Sequence, residues 1–338
     1  MGGAGRAARS LCRAPGRGKR PPFPGPGGCV MGGSPPDDAG WQRATMRGRA
    51  LGRADARREV RLAADEVLIR LWGVRGSVPC PGPATVRYGG NTACVEVRCG
   101  PHLLVFDGGT GIRELGKFLE GGPPVDADVF LTHFHLDHIG GLPFFKPAFR
   151  PENRFRLHAA RLDTALTLKT ILGRMMSPPL FPVPIDMYRA DVDFVDFAVG
   201  DRLEPRPGLV VETRPLDHPG GACGYRVSWG GRTVAYVTDT EHPRDGSLDA
   251  NVQALMAGAD IAIYDATYTD DEYRVYQGWG HSTWREGVRA AEAAGVGTLV
   301  LFHHDPSHAD GAMDQIAADA DAARPGTLVG QDGMVLRR

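Results

Sequence analysis

Apolar and polar positions settle into a regular rhythm near residue 67. From there short apolar runs follow one another, broken by Gly, Asn and Asp. Runs at residues 67–72, 93–97, 102–106 and 128–131 predict strands, as do later ones at 155–158, 209–213, 224–229, 233–237, 260–264 and 298–302. A repeat near 3.6 residues predicts helices at 112–119, 162–175, 248–256, 283–294 and 312–322. Strands come first in runs and then alternate with helices. That order predicts an α/β fold with sheets packed in the middle and helices outside. No internal repeat interrupts it.

Before residue 65 this rhythm is absent. Residues 1–64 are rich in Gly, Pro, Ala and Arg and cannot bury enough apolar surface to order themselves. They are expected to form a disordered extension, and residues 65–338 the folded domain. Charge divides in the same way: residues 1–60 hold 12 basic and 4 acidic side chains, the remainder 27 and 36, within a chain of net charge -1. A basic tail suits nucleic acid, but the plainer reading is an upstream start, since Met31 and Met46 are both plausible initiators. With 338 residues, 42% hydrophobic and 23% charged, the chain has the composition of an ordinary soluble protein with a sizeable core. Six cysteines form no C-x-x-C pair, and neither a membrane-length apolar run nor an apolar leader is present, which points to the cytoplasm.

The densest chemistry follows the run at 128–131, in Thr132-His133-Phe134-His135-Leu136-Asp137-His138. A lone histidine is usually a satisfied core or surface residue, but three histidines and an aspartate within six residues at a strand end have the spacing of metal ligands. His133 and His135 point the same way from an extended segment, and Asp137 and His138 follow as the chain turns into a helix. Imidazole and carboxylate suit zinc, and also manganese or iron, and leave a position for water. A two-metal site needs more donors. His218, Asp239 and His303 each follow an apolar run and would reach the same rim, where a carboxylate such as Asp239 can bridge two cations.

In this order the motif H-x-H-x-D-H, then His218, Asp239 and His303, resembles the metallo-β-lactamase fold superfamily over residues 67–338. The resemblance implies a four-layer αββα sandwich and two divalent metal ions, with zinc the first expectation and manganese or iron the alternatives. His133, His135 and His218 would hold one ion, Asp137, His138 and His303 the other, with Asp239 between them and His304 competing with His303. In the same family the Asp107-Gly108-Gly109 loop supports the site. An acidic residue usually replaces His135 in the di-iron redox branch, which argues against that branch.

Asp265-Ala266-Thr267 followed by Gly280-His281-Ser282-Thr283 resembles the ribonuclease Z and cyclic-nucleotide phosphodiesterase-like branch, although Glu is commoner there at the position of Asp265. By itself the second motif also reads as a helix start capped by a hydroxyl. The resemblance implies phosphodiester hydrolysis by a metal-activated hydroxide, with Asp137 orienting the nucleophile, His281 assisting the leaving oxygen and Asp265 orienting His281. Arg75 and Asn91 lie in Gly-rich segments of a similar bacterial subgroup and are the expected phosphate contacts. Ribonuclease Z carries a protruding arm for transfer RNA, whereas residues 145–200 read as compact strand, helix and loop, with 177–184 a Pro-rich loop able to cover the site. A small phosphodiester or cyclic nucleotide is therefore the expected substrate, with no membrane partner. The alternatives are a ribonuclease Z-like endonuclease on RNA, a thioester or lactone hydrolase, and a non-catalytic binding protein. A homodimer remains open.

Overall fold

The computed structural model describes residues 62–162 and 165–338. The extension expected to be disordered lies outside the described residues except for its last three, and there Trp229 Nε1 donates to the Ala64 carbonyl at 2.8 Å. In chain order the first sheet contributes β1 (Val67–Gly73), β2 (Cys94–Cys99), β3 (His102–Phe106), β4 (Asp126–Leu131), β5 (Arg154–Ala160) and β6 (Asp191–Phe197). The second contributes β7 (Arg202–Arg206), β8 (Leu209–Leu216), β9 (Ala222–Trp229), β10 (Arg232–Val237), β11 (Ile261–Asp265), β12 (Thr298–Phe302) and β13 (Leu328–Val329). Strand β14 (Val335–Arg337) returns to the first sheet beside β1, so each sheet has seven strands.

Alternation along the strands builds the layers. Leu104, Phe106 and Phe130 of the first sheet meet Tyr225, Val234, Tyr236, Ile263 and Phe302 of the second in one core between the sheets. The intervening residues face outward. Leu103, Val105 and Val129 pack under helices α1 (Gly111–Leu119) and α3 (Leu168–Met175). Ala235, Ala262, Tyr264, Leu299 and Leu301 form the opposite outer core, which also takes residues of α4 (Ala250–Met256), α6 (Trp284–Ala293) and α7 (Asp310–Ala323). Strands apolar on both faces are what a sheet covered on both sides requires. The result is the four-layer αββα arrangement expected from the sequence.

Strands β3 to β6 run parallel, as do β10 to β13. Their C-terminal ends open on one side, where loops can carry chemistry without disturbing the core. Several elements were not anticipated: the strands β6, β7, β13 and β14, and the helix α5 (Asp270–Tyr276), whereas the turn into a helix at Asp137 and His138 is the one-turn α2 (Leu136–Ile139). The helix expected at 162–175 begins only at Leu168, where the Thr167 side chain accepts from the Thr170 amide.

One buried carboxyl gives the fold a pH dependence. Asp332 accepts from the Asn91 amide and side chain at 3.2 and 2.9 Å, while its Oδ1 has no protein partner. Burial pushes its pKa up to about 7 despite those donors and nearby Arg75. An acid with a raised folded-state pKa contributes most when protonated, so the contribution of Asp332 to stability falls as pH rises from about 4 to about 7. The difference is on the order of 4 kcal/mol. We expect Asp332→Asn to melt above the wild type at pH 8 and to lose that advantage at pH 5, as read by thermal denaturation at both values.

Candidate active site and metal centre

Strand β4 ends at Leu131, and the next seven residues deliver His133, His135, Asp137 and His138 to the rim. His218 follows β8, Asp239 follows β10, and His303 follows β12. The structure brings all seven side chains together in two groups. In the first, donor atoms of His133, His135 and His218 lie within 4.8 Å of one another. His218 Nε2 is 3.1 Å from His135 Nδ1, and the buried Nε2 of His133 has no hydrogen-bond partner. In the second, His138 Nε2 lies 3.2 Å from His303 Nε2, 3.3 Å from Asp137 Oδ2 and 3.1 Å from Asp239 Oδ2. His303 Nε2 is 3.3 Å from the same Asp137 oxygen and 3.4 Å from Asp239 Oδ2.

These spacings fit metal ions. Donors about 2.0–2.1 Å from a tetrahedral zinc stand roughly 3.3 Å apart, and bare imidazole and carboxylate edges do not otherwise converge in this way. Asp239 offers one oxygen to each group: Oδ1 is 3.8 and 3.7 Å from His133 and His218, and Oδ2 belongs to the second group. Electrostatics agrees with geometry. Burial lowers the pKa of His133, His135 and His218, leaving neutral rings that can ligate. Burial alone would also neutralise His138, but Asp239, Asp107 and Asp137 outweigh it and favour positive charge there. A divalent cation bound there would supply that charge.

A surrounding shell fixes the candidate ligands. Asp107 Oδ2 lies 2.8 Å from His138 Nδ1 and accepts from the Tyr236 hydroxyl at 2.9 Å, while its Oδ1 takes the Thr132 amide. His218 Nδ1 meets the Gly280 carbonyl at 2.8 Å, which leaves Nε2 free to ligate. The Ser77 amide donates to Asp137 Oδ2 at 2.7 Å, and Gly76 backs so closely on His303 that a Cβ there would stand 2.3 Å from its ring. Among the described residues, the non-glycine positions with left-handed backbone are Ser77, Asp107, Asp239 and His303, at φ 56 to 61°, and each belongs to this shell or to the candidate ligand set.

His281 stands beside the cluster. Its Nδ1 is 2.9 Å from Asp265 Oδ2 and 3.9 Å from Asp239 Oδ1. Asp265 is fully buried and also accepts from the Asp239 amide and the Thr267 hydroxyl. Burial disfavours a charged His281, yet Asp265 prevails and raises its pKa to about 9. An open cleft of about 250 Å³ beside His133 and His135 is walled by Leu162, Ile171 and Pro219. The loop at 177–184 does not line it. Phe181 of that loop packs edge-on against Phe144, and Leu180 is exposed.

Three sequence-based expectations need correction or refinement. The Arg75 guanidinium is completely buried, with Nε and Nη1 bonded to the carbonyls of Gly89, Asp305 and His308 and Nη2 without a partner, so it clamps backbone and does not face an open phosphate site. Asn91 is likewise occupied, bonded to Asp332 and Thr110. His304, the rival of His303, turns away to the Gly330 carbonyl, and burial lowers its pKa to about 3.

Glu241 escaped the sequence reading because a single acidic residue in a loop carries no pattern. Its carboxylate accepts from the Gly278 and Gly280 amides and the Tyr273 hydroxyl, bracing the loop that ends in His281. Glu241→Ala strands two amides. We expect a loss of about 1–3 kcal/mol in urea denaturation and a fall in kcat of roughly tenfold as His281 loses its position.

Residues 102–304 match the family model for the β-lactamase superfamily domain. The chain belongs to this superfamily. It is a metallo-β-lactamase-fold hydrolase, and its sequence relatives fall in the ribonuclease Z-like branch. A ribonuclease Z from Gemmatimonas aurantiaca is 28% identical, the match covering 79% of this chain and 94% of the relative. Among solved structures, the metallo-β-lactamase fold protein YhfI from Bacillus subtilis superimposes with a TM-score of 0.60 at 19% identity, covering 81% of this chain and all of that one. A diphosphatase from the PhnP family gives 0.59 at 19% identity, covering 81% and 97%. The superfamily implies divalent metal ions, and the two donor groups are where this chain has the means to hold them. Among the described residues no helix is long and apolar enough to cross a membrane.

Proposed function

We propose that the chain is a metal-dependent phosphodiesterase and that RNA is its substrate class. The observation that carries the reaction type is the His281–Asp265 pair, held at 2.9 Å beside the metal cluster. Thioester or lactone cleavage gains little from it. The RNA assignment is supported by the ribonucleases Z that match most of the chain at 24–28% identity.

In this reading His133, His135 and His218 hold one ion and Asp137, His138 and His303 the other, with Asp239 between them. Five imidazoles and two carboxylates suit zinc. When bound, such ions supply Lewis-acid charge and make water acidic enough to attack at neutral pH. The protein supplies the rest. Asp137, steadied by the Ser77 amide, orients the nucleophile at one side of the phosphorus. Asp265 holds the Nδ1 edge of His281, so Nε2 is the atom that delivers a proton to the departing oxygen.

A second reading, a small phosphodiester, is favoured by the 250 Å³ cleft and by the fold of residues 145–200 into β5, α3 and β6. The acidic balance of the chain beyond residue 60 points the same way. Purified protein of known metal content, assayed on precursor transfer RNA, cyclic nucleotides, bis(p-nitrophenyl) phosphate and an acyl thioester, separates the readings. Cleavage of RNA above the small diesters supports the first. Turnover of the thioester with none of the diesters would remove both.

A further inference from the structure

A line of aromatic rings runs from His281 to the surface. Tyr268, almost fully buried, meets the His281 ring edge-on with centroids 5.9 Å apart. Tyr276 stacks on Tyr268 at 5.1 Å and 19°. Trp279 closes on Tyr276 at 5.2 Å. Exposure rises along the line, from 4% at Tyr268 to 36% at Tyr276 and 62% at Trp279.

The outer rings are held in place. Tyr276 ends α5, whose start is fixed by a capping box between Thr269 and Glu272. Trp279 sits between Gly278 and Gly280, both at positive φ and both bonded through their amides to Glu241. An indole left in water on a braced loop, continuous with the ring that faces the departing oxygen, has the form of a stacking surface for a flat ligand.

We infer that Tyr276 and Trp279 form a platform for the nucleobase carried by the leaving group of the phosphodiester. The inference rests on the phosphodiesterase reading and deepens it. A base stacked there lies at the end of the ring line that begins at His281, so the alcohol protonated by His281 is a nucleoside hydroxyl. The occupant is a base and not a second protein copy, because the surface is contiguous with the catalytic histidine.

The test uses the metal-loaded, full-length protein and two dinucleotides, one complete and one lacking the base on the departing side. Trp279→Ala should lower the ratio of kcat/KM for the complete over the abasic substrate at least tenfold, Tyr276→Ala several-fold, and Trp279→Phe little. Adenosine monophosphate, but not ribose 5-phosphate, should quench the fluorescence that distinguishes the wild type from Trp279→Phe. That quenching in a protein that cleaves no diester would sustain the platform and sink the phosphodiesterase reading. Equal rates on both dinucleotides with no quenching would overturn the platform itself. So would a drop in sedimentation mass in Trp279→Ala, which would assign the surface to a contact between copies.

Discussion

Asp239→Asn should leave the fold standing and strip the site of metal. The carboxylate is buried, with one oxygen toward each donor group. Asparagine keeps the volume and tolerates the left-handed backbone at φ 56°, so folding is spared. It removes the negative charge and one oxygen donor. We expect metal content to fall from two ions per chain to one or none, and the rate on any diester to fall by at least about 10³-fold, since activation of water depends on both cations. Chelation gives an independent readout. Ions present at about 1,000 times their dissociation constant stabilise the wild type by about 4 kcal/mol, so EDTA should lower its melting temperature by several degrees and barely move that of Asp239→Asn. A variant that keeps two ions and full rate would remove Asp239 from the bridge.

His281→Ala should do the opposite, keeping the metals and losing the rate. His281 lies within reach of a donor group with His218 and Asp239, but its Nδ1 is committed to Asp265. A positioned acid contributes about 10²–10⁴-fold. The loss should depend on the leaving group. A p-nitrophenolate departs without a proton and a ribose alkoxide does not, so kcat should fall much further on a dinucleotide than on bis(p-nitrophenyl) phosphate. Asp265→Asn should show a smaller loss with the same preference. If the alanine variant loses metal, or if its loss is equal on both substrates, His281 is a ligand or a scaffold residue and not the acid.

The convergence of the seven candidate ligands was legible because they follow apolar strands with tight spacing. His133 to His138 fall within six residues, and His218, Asp239 and His303 each follow an apolar run that marks a strand. The layers were legible for the same reason: Leu103, Leu104, Val105 and Phe106 divide between outer and inner cores as period two demands. What was hidden depends on contacts distant in sequence. Arg75 reads as a phosphate contact beside its glycines, yet the fold closes carbonyls from residues more than 200 positions away around it. Glu241 reaches the Gly278 and Gly280 amides 37 and 39 positions further along the chain, and the short strands β13 and β14 exist only because β12 and β1 offer edges to pair with.

The left-handed residues Ser77, Asp107, Asp239 and His303 have an evolutionary consequence. Each holds a conformation that costs on the order of 1 kcal/mol or more and that glycine would adopt freely. At Ser77 the useful group is the backbone amide, which glycine keeps, so tension and chemistry are separable there. At the other three the proposed role belongs to the side chain. A population selected for heat resistance alone has three nearby routes to a calmer backbone, and each leads away from catalysis.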